Sequence, residues 1–173
     1  MKIIIGLGNP GAKYAKTRHN VGWMILDELS DGKWHESKKS KAMYLKTEID
    51  GEQVELIKPL TFMNNSGHSV SHTIKNHNLK LDKDLIVIHD DKDIELGKIK
   101  VQADRSSAGH KGVQSIIQQL GTQNFIRVRV GIANKKSLTQ STDKFVLKKF
   151  GWLEKTKLKQ TIDQAVLEIK KLL

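Results

Sequence analysis

Two runs of consecutive apolar residues limit the folds open to this chain more than any other feature. Ile3-Ile4-Ile5 lies near the N-terminus, and Leu85-Ile86-Val87-Ile88 lies near the middle of the sequence. A strand with one face in water alternates apolar and polar residues, whereas a strand covered on both faces is apolar throughout. Because both runs are continuous, they predict buried strands over 2–7 and 85–88.

Strand and helix patterns alternate along the rest of the chain. Apolar residues at helical spacing predict helices over 20–30, 64–77 and 110–120, and from Leu153 onward. Strands are predicted over 42–49, 52–58 and 125–132, with a hairpin turn at Asp50-Gly51, and loops over 36–41 and 134–143. This order indicates one α/β domain with a mixed sheet over residues 1–173.

The charge balance points to a polyanionic partner. Lys and Arg number 30 against 19 Asp and Glu, which gives a net charge of +11. Such a charge favours nucleic acid over a membrane surface, although a generally lysine-rich composition is the alternative explanation. The chain has no cysteine, which excludes thiol catalysis, cysteine-ligated zinc and disulfides. The short apolar start fits neither a signal peptide nor a membrane helix, so we expect a cytoplasmic protein.

The loop after the first predicted strand carries a histidine suited to proton transfer near pH 7. It contains Gly8-Asn9-Pro10-Gly11 and, further on, His19. Reacting groups of open α/β sheets gather beyond the carboxyl ends of strands. The segment His89-Asp90-Asp91-Lys92-Asp93 follows the other buried strand, so one of its carboxylates can orient His19. The residues alone do not choose among the three aspartates.

The same loop matches a dinucleotide-binding pattern, which we interpret differently. Gly6, Gly8 and Gly11 have the spacing G-x-G-x-x-G. Pro10 and Tyr14, however, prevent the third glycine from opening a helix, as that site requires. A tight strand-to-helix connection or a catalytic loop is therefore favoured over a nicotinamide-dependent oxidoreductase.

Two further groups allow a functional and a simpler interpretation, and a third suggests a phosphate contact. Asn64 can stabilise an oxyanion, or Asn64 or Asn65 can cap the helix that follows. His68 and His72 have metal-ligand spacing, but an exposed helix face explains them better. Arg127 and Arg129 share one face of a predicted strand and can contact phosphates.

Several motifs together resemble the bacterial-type peptidyl-tRNA hydrolases. They are Gly6-Leu7-Gly8-Asn9-Pro10-Gly11 with Tyr14 and Thr17-Arg18-His19-Asn20-Val21-Gly22, Lys58-Pro59 with Thr61-Phe62-Met63-Asn64 and Ser66-Gly67, His89-Asp90-Asp91 with Asp93, Gly109-His110 with Gly112, Arg127 with Arg129-Val130-Gly131-Ile132, and Phe145-Val146-Leu147. The resemblance covers nearly the whole chain. It implies a single-domain α/β/α fold with a twisted mixed β-sheet flanked by helices, a monomer, and no metal or organic cofactor.

The resemblance also implies the reaction and the roles of individual residues. The reaction is hydrolysis of the ester between a peptide and the 3′-terminal ribose of tRNA. His19 matches the general base, Asp93 the carboxylate that orients it, and Asn9 the residue that discriminates blocked from free aminoacyl-tRNA. Asn64 matches the substrate-binding asparagine. Contacts to substrate and tRNA are expected from Tyr14, Phe62, Met63, Asn64, His110, Lys111 and Arg129.

The chain departs from the family pattern at the loop before the 110–120 helix. The family has a glycine-rich run ending in Gly-His-Asn-Gly, whereas this chain has Asp104-Arg105-Ser106-Ser107-Ala108-Gly109-His110-Lys111-Gly112. Lysine donates hydrogen bonds but accepts none, so we expect Lys111 to meet a phosphate of the tRNA end. The change also keeps an alternative open, a catalytically weak RNA-binding relative of the same fold.

Overall fold

The strands join in one mixed sheet in the computed structural model, which describes residues 1–30, 32–75 and 77–173, with only the backbone of Lys136 and Leu138. They are β1 Lys2–Gly6, β2 His35–Ser37, β3 Ala42–Ile49, β4 Glu52–Pro59, β5 Leu85–Glu95, β6 Ile99–Gln102 and β7 Ile126–Ala133. Their order is β2-β3-β4-β1-β5-β7-β6. The central strands β4, β1, β5 and β7 are parallel, and the outer pairings β2–β3, β3–β4 and β6–β7 are antiparallel. The predicted mixed sheet is confirmed.

Helices cover both faces of this sheet. They are α1 Val21–Leu29, α2 Ser66–Ile74, α3 Leu81–Asp84, α4 Lys111–Leu120, α5 Thr142–Val146 and α6 Lys155–Lys170. Side chains of β1 point alternately to the two faces, so Ile4 packs with α1 and α6, while Ile3 and Ile5 pack with α2 and α4. Burying each such isoleucine stabilises the folded state by about 1.5–3 kcal/mol relative to leaving its side chain exposed. The three layers are the expected α/β/α arrangement. No helix in the described part of the chain is both long and apolar enough to cross a bilayer.

A glycine allows the first helix to begin directly against the sheet. A Cβ at Gly22 would lie 2.7 Å from the backbone O of Ile88 and from the backbone N of Leu7. A Cβ atom does not approach non-bonded backbone atoms so closely, so any side chain there would push α1 away. This close packing places the 3-10 turn Arg18–Asn20, which precedes α1, beside the middle of β5, where His19 meets Asp90.

The sheet extends further than the sequence predicted. The predicted strand over 85–88 continues to Glu95 because β7 pairs with it, residue by residue as far as Asp91 and again at Glu95 after a shift of register. The pairs include His89 with Arg129 and Asp90 with Val130. Strand β6 was not predicted, and β2 overlaps the predicted loop over 36–41. The helix predicted over 64–77 is a 3-10 turn at Met63–Asn65 followed by α2, and Asn76 lies outside the described residues.

Candidate active site

The loop after β1 is held by hydrogen bonds between two asparagine residues. The backbone N–H of Asn9 donates to Oδ1 of Asn20 at 3.0 Å, and Nδ2 of Asn20 donates to the backbone O of Asn9 at 3.0 Å. The third glycine of the dinucleotide-like pattern, Gly11, has φ of +107° and lies in a turn, because α1 begins only at Val21. The loop therefore has no helix at the place where a dinucleotide phosphate would bind, as the sequence predicted.

In this loop the side chain of Asn9 contacts a second segment of the site, the 3-10 turn that begins at Met63. Its Oδ1 accepts a hydrogen bond from the backbone N–H of Met63 at 2.8 Å. Because that oxygen is engaged, the Nδ2 amide group is what Asn9 can offer to a ligand, and it offers donors only. Met63 itself is buried, so its contribution to the site is mainly to anchor Asn9.

His19 contacts Asp90 and not the aspartate expected from the resemblance. The ring Nδ1 of His19 lies 2.7 Å from Oδ1 of Asp90, and both side chains are buried. The side chain of Asp93 is 64% exposed, and its carboxylate accepts from Lys92 at 3.0 Å. The expected contact between His19 and Asp93 is therefore replaced by one with Asp90. Asp93 lies three residues further along β5, a step of about 10 Å in a strand.

Asp90 accepts a second hydrogen bond on the same oxygen. Nε2 of His110 lies 2.9 Å from its Oδ1, and Nδ1 of His110 accepts the backbone N–H of Val113 at 3.2 Å. These two contacts fix the neutral tautomer of His110, with its proton on Nε2. Both ring nitrogens are engaged, and the side chain is 9% exposed. The expected tRNA contact by His110 stays a prediction.

The two histidines keep Asp90 ionised in a buried place. Burial by itself would raise the pKa of the Asp90 carboxyl, but electrostatic attraction to the rings of His19 and His110, with a hydrogen bond from each, holds this pKa well below its ordinary range. An ionised Asp90 keeps the proton of His19 on Nδ1. The lone pair of His19 then lies on Nε2, where it can act as a base.

His89 is a third imidazole close to Asp90, in addition to those of His19 and His110. Its Nδ1 lies 2.8 Å from the backbone O of Asp90, so Nδ1 carries a proton and donates. Burial, together with the electrostatic effect of the neighbouring His110 ring, lowers the pKa of His89 to about 3. The ring is therefore neutral at pH 7. Sequence reasoning assigned His89 no role, since nothing in its spacing shows that it lies beneath Asp90.

The base opens onto a cleft of about 390 Å³. The cleft is lined by Asn9, His19, Phe62, Met63, Asn64, Lys111, Asp143, Val146 and Leu147. Phe62 is exposed at the edge of the cleft and meets Tyr14 edge-on, with ring centroids 6.3 Å apart. Most of the expected site residues thus surround one cavity. Helix α5 and Leu147 form another wall of it, and α5 begins within the loop that the sequence predicted over 134–143.

Asn64 lies at the cleft without a capping role. The residue that caps α2 is Asn65, whose side chain makes no cap hydrogen bond, and Asn64 lies one residue earlier in the 3-10 turn. Asn64 is exposed, and its side chain forms no hydrogen bond within the described residues. The helix-cap alternative therefore does not explain this residue, and its amide group can face a ligand.

Two of the expected tRNA contacts are engaged with carboxylates. Nζ of Lys111 lies 2.9 Å from Oδ1 of Asp143, and both side chains are exposed. Arg129 donates from Nε to Oδ2 of Asp91 at 2.9 Å, with Nη2 at 2.7 Å from the same oxygen. An exposed ion pair such as the first is worth only about 0–1 kcal/mol, so a phosphate can displace it.

One group in the site has the spacing of metal ligands. The ligand atoms of His19, Asp90 and His110 lie within 4.8 Å of one another. Each histidine already shares a proton with Asp90, so a metal ion would have to displace both protons. Hydrogen bonding accounts for the arrangement without a metal. His68 and His72, the pair with metal-ligand spacing in the sequence, are not part of this group.

Comparisons with known proteins agree on one family. The sequence profile described as peptidyl-tRNA hydrolase matches residues 3–173. The peptidyl-tRNA hydrolase of Thermodesulfovibrio yellowstonii is 48% identical, over 98% of this chain and 90% of that protein, and that of Aquifex aeolicus is 42% identical, over 96% and 86%. A crystal structure of peptidyl-tRNA hydrolase from Acinetobacter baumannii superimposes with a TM-score of 0.89 at 31% identity, covering 99% of this chain and 88% of that chain. The chain belongs to the peptidyl-tRNA hydrolase family.

Proposed function

We propose that the protein hydrolyses the ester between a peptide, or an N-blocked aminoacyl group, and the 3′ ribose of tRNA, which returns the tRNA for reuse. The observation that carries the proposal is the His19–Asp90 pair, with an Nδ1–Oδ1 distance of 2.7 Å, facing a cleft with two asparagines. Membership of the peptidyl-tRNA hydrolase family supports the same substrate.

His19 activates water in the proposed reaction. Its Nε2 takes a proton as the water oxygen attacks the ester carbonyl carbon, and Asp90 stabilises the imidazolium that forms. The tetrahedral intermediate then collapses, the bond to the 3′ oxygen breaks, and that oxygen receives the proton from His19. Water is the nucleophile, so the reaction leaves no acyl group on the protein.

Asn64 and Asn9 have different parts in the proposal. The free amide group of Asn64 donates to the carbonyl oxygen as it gains negative charge. Asn9 presents only its Nδ2 donors, because its oxygen is held by Met63. A blocked amino group brings a carbonyl that accepts from Nδ2, whereas a free α-ammonium group has donors alone. Asn9 therefore favours blocked over free aminoacyl-tRNA.

The remaining contacts hold the tRNA end. Tyr14 and Phe62 offer aromatic surface at the edge of the cleft. Lys111 leaves Asp143 to meet a phosphate. The Arg129 guanidinium donates to Asp91 and, from Nη1, to Oε1 of Gln102, so its contact with a second phosphate uses the N–H bonds that these two partners leave over. Contacts of this kind carry little sequence information, as suits an enzyme that acts on many tRNAs.

The decisive experiment compares two substrates and one variant. N-acetyl-aminoacyl-tRNA and free aminoacyl-tRNA are incubated with the protein and with His19→Ala. We expect release from the blocked substrate only, and a loss of at least about 100-fold in the variant, the usual range for a general base. Release that does not depend on His19 would instead support the catalytically weak RNA-binding relative.

We also infer that the protein acts as a monomer in the cytoplasm. A single copy of the chain already supplies His19, Asn9 and Asn64 around the cleft, and peptidyl-tRNA arises where translation takes place. Light scattering at micromolar concentration tests the first part. A dimer whose dissociation abolishes activity would contradict it.

A further inference from the structure

Two large apolar side chains are exposed next to each other on the turn before α6. Trp152 is 79% exposed and Leu153 is 87% exposed, in the 3-10 turn Trp152–Glu154. Folded chains expose isolated apolar residues commonly, but an exposed tryptophan beside an exposed leucine marks an interaction surface more specifically. Neither residue has a role in the site described above.

The turn is rigidly attached to the residue next to the catalytic base. The Glu154 carboxylate accepts from Nη2 of Arg18 at 2.7 Å, from Nη1 at 3.0 Å, and from the backbone N–H of Gly151 at 2.7 Å. The Arg18 guanidinium is stacked between the rings of Phe145 and Phe150, with centroid distances of 4.6 and 4.7 Å. The backbone of the turn that carries Trp152 is therefore tied to the loop that carries His19.

The surroundings of these apolar side chains are positive. Lys148, Lys149 and Lys155 are exposed and form no ion pair within the described residues. The only acidic residue from 148 to 155 is Glu154, and Arg18 neutralises it. Backbone contacts fasten the two lysines to the catalytic loop, since the N–H of Arg18 donates to the O of Lys148 at 2.9 Å and Thr17 bridges to Lys149.

These groups border one open cavity. Trp152, Leu153, Lys148 and Lys149 line a hollow of about 620 Å³ together with Arg18 and Phe145. A flat aromatic ring with unpaired cations around it is what an unpaired nucleobase and its flanking phosphates require. An acidic protein could match the charge, but the connection to the loop of His19 favours the nucleic acid that the site itself handles.

We propose that the surface formed by Trp152, Leu153, Lys148, Lys149 and Lys155 is a second tRNA contact, in which Trp152 stacks on an unpaired base of the bound tRNA. The inference rests on tRNA being the substrate, as proposed above. The lysines bind the phosphates on either side of the stacked base. The contact adds affinity for tRNA and takes no part in ester cleavage.

The test measures binding of deacylated tRNA by fluorescence anisotropy, which needs no cleavage. Trp152→Ser is expected to raise Kd about tenfold, in line with the effect of losing one stacked base. Trp152→Phe keeps an aromatic face and should remain within about twofold of wild type. Leu167→Ser removes another exposed apolar side chain, 60% exposed and about 18 Å further along α6, and should change nothing.

A second probe separates stacking from charge. Inorganic polyphosphate carries the charge of a nucleic acid without bases, so its binding should weaken in Lys148→Ser/Lys149→Ser and be unaffected by Trp152→Ser. The proposal is overturned if Trp152→Ser leaves the Kd for tRNA unchanged, which would assign the surface to a protein partner. It is also overturned if Trp152→Ser weakens both probes equally.

The two proposals fail in different ways. If wild type binds tRNA through Trp152 but releases no N-acetyl-amino acid, the proposed hydrolysis is wrong and the second contact stands. If hydrolysis proceeds and Trp152→Ser changes neither Kd nor KM, the second contact is wrong and the hydrolysis stands. Circular dichroism of each variant confirms that it folds.

Discussion

Nδ1 of His19 lies 2.7 Å from Oδ1 of Asp90, and this contact decides which ring nitrogen of the histidine can act as the base. The buried carboxylate keeps a proton on Nδ1, which leaves Nε2 free to accept one from water. His110 donates to the same oxygen at 2.9 Å, so Asp90 is held from two sides. The geometry of the base depends on three residues from separate parts of the chain.

Asp90→Asn should lower kcat by about 100- to 10,000-fold with little change in KM, because the amide cannot stabilise the imidazolium of His19. Asp93→Asn is the matched control and should retain wild-type activity, since its carboxylate is exposed. Steady-state hydrolysis of N-acetyl-aminoacyl-tRNA measures both. A large loss in Asp93→Asn with a mild one in Asp90→Asn would restore the assignment drawn from the resemblance.

His110→Ala should lower kcat/KM by about tenfold, because the Asp90 carboxylate loses one of the two side-chain hydrogen bonds that hold it against His19. His110→Gln, whose amide can donate to Asp90, should lie closer to wild type. Steady-state hydrolysis of N-acetyl-aminoacyl-tRNA measures both variants. An unchanged kcat/KM in His110→Ala would show that the contact only fills space.

Stability should fall in acid because of His89. Its pKa is lowered to about 3 in the folded protein, while an unfolded histidine has a pKa of about 6.5. Between these values the unfolded chain binds the extra proton, so the free energy of unfolding falls by up to about 1.4 kcal/mol per pH unit as pH drops below 6.5. Urea unfolding from pH 7.5 to 4.5 should show this slope.

His89→Asn, compared over the same range, should show a smaller slope, since asparagine does not titrate. The contribution of the Asp90 carboxyl has a different window. Its pKa is depressed in the fold, so its stabilisation is present above the unfolded value of about 3.9 and is lost only below it. An identical slope in wild type and His89→Asn above pH 4.5 would contradict the assignment to His89.

Lys111→Asn should raise KM for tRNA substrates and reduce the slope of log KM against log salt by about 1, as expected for one lost phosphate contact. Asp143→Asn frees Lys111 and should lower KM slightly. Neither change should alter the free energy of unfolding by more than about 1 kcal/mol, because the Lys111–Asp143 pair is exposed. An unchanged KM and salt slope in Lys111→Asn would remove the phosphate contact from the proposal.

Features decided by neighbouring residues were predictable from the sequence. The continuous apolar runs predicted β1 and the start of β5, because burial on both faces requires that pattern. The Gly/Pro-rich loop likewise predicted that Asn9 and His19 follow the first strand, and the motifs around them indicated the family. Each strand, loop and individual motif is encoded within about twenty consecutive residues, although the family resemblance draws on several such motifs along the chain.

Features that depend on distant pairing were decided only by the tertiary structure. The choice of Asp90 over Asp93 follows from the extension of β5 against β7, a partner some forty residues away in sequence. The engagement of His110 with Asp90 and the pairing of Lys111 with Asp143 depend equally on how separate elements pack. Local residue patterns set which strands and loops form, but which side chains meet at the ends of the strands is set by the register of strands that are remote in the chain.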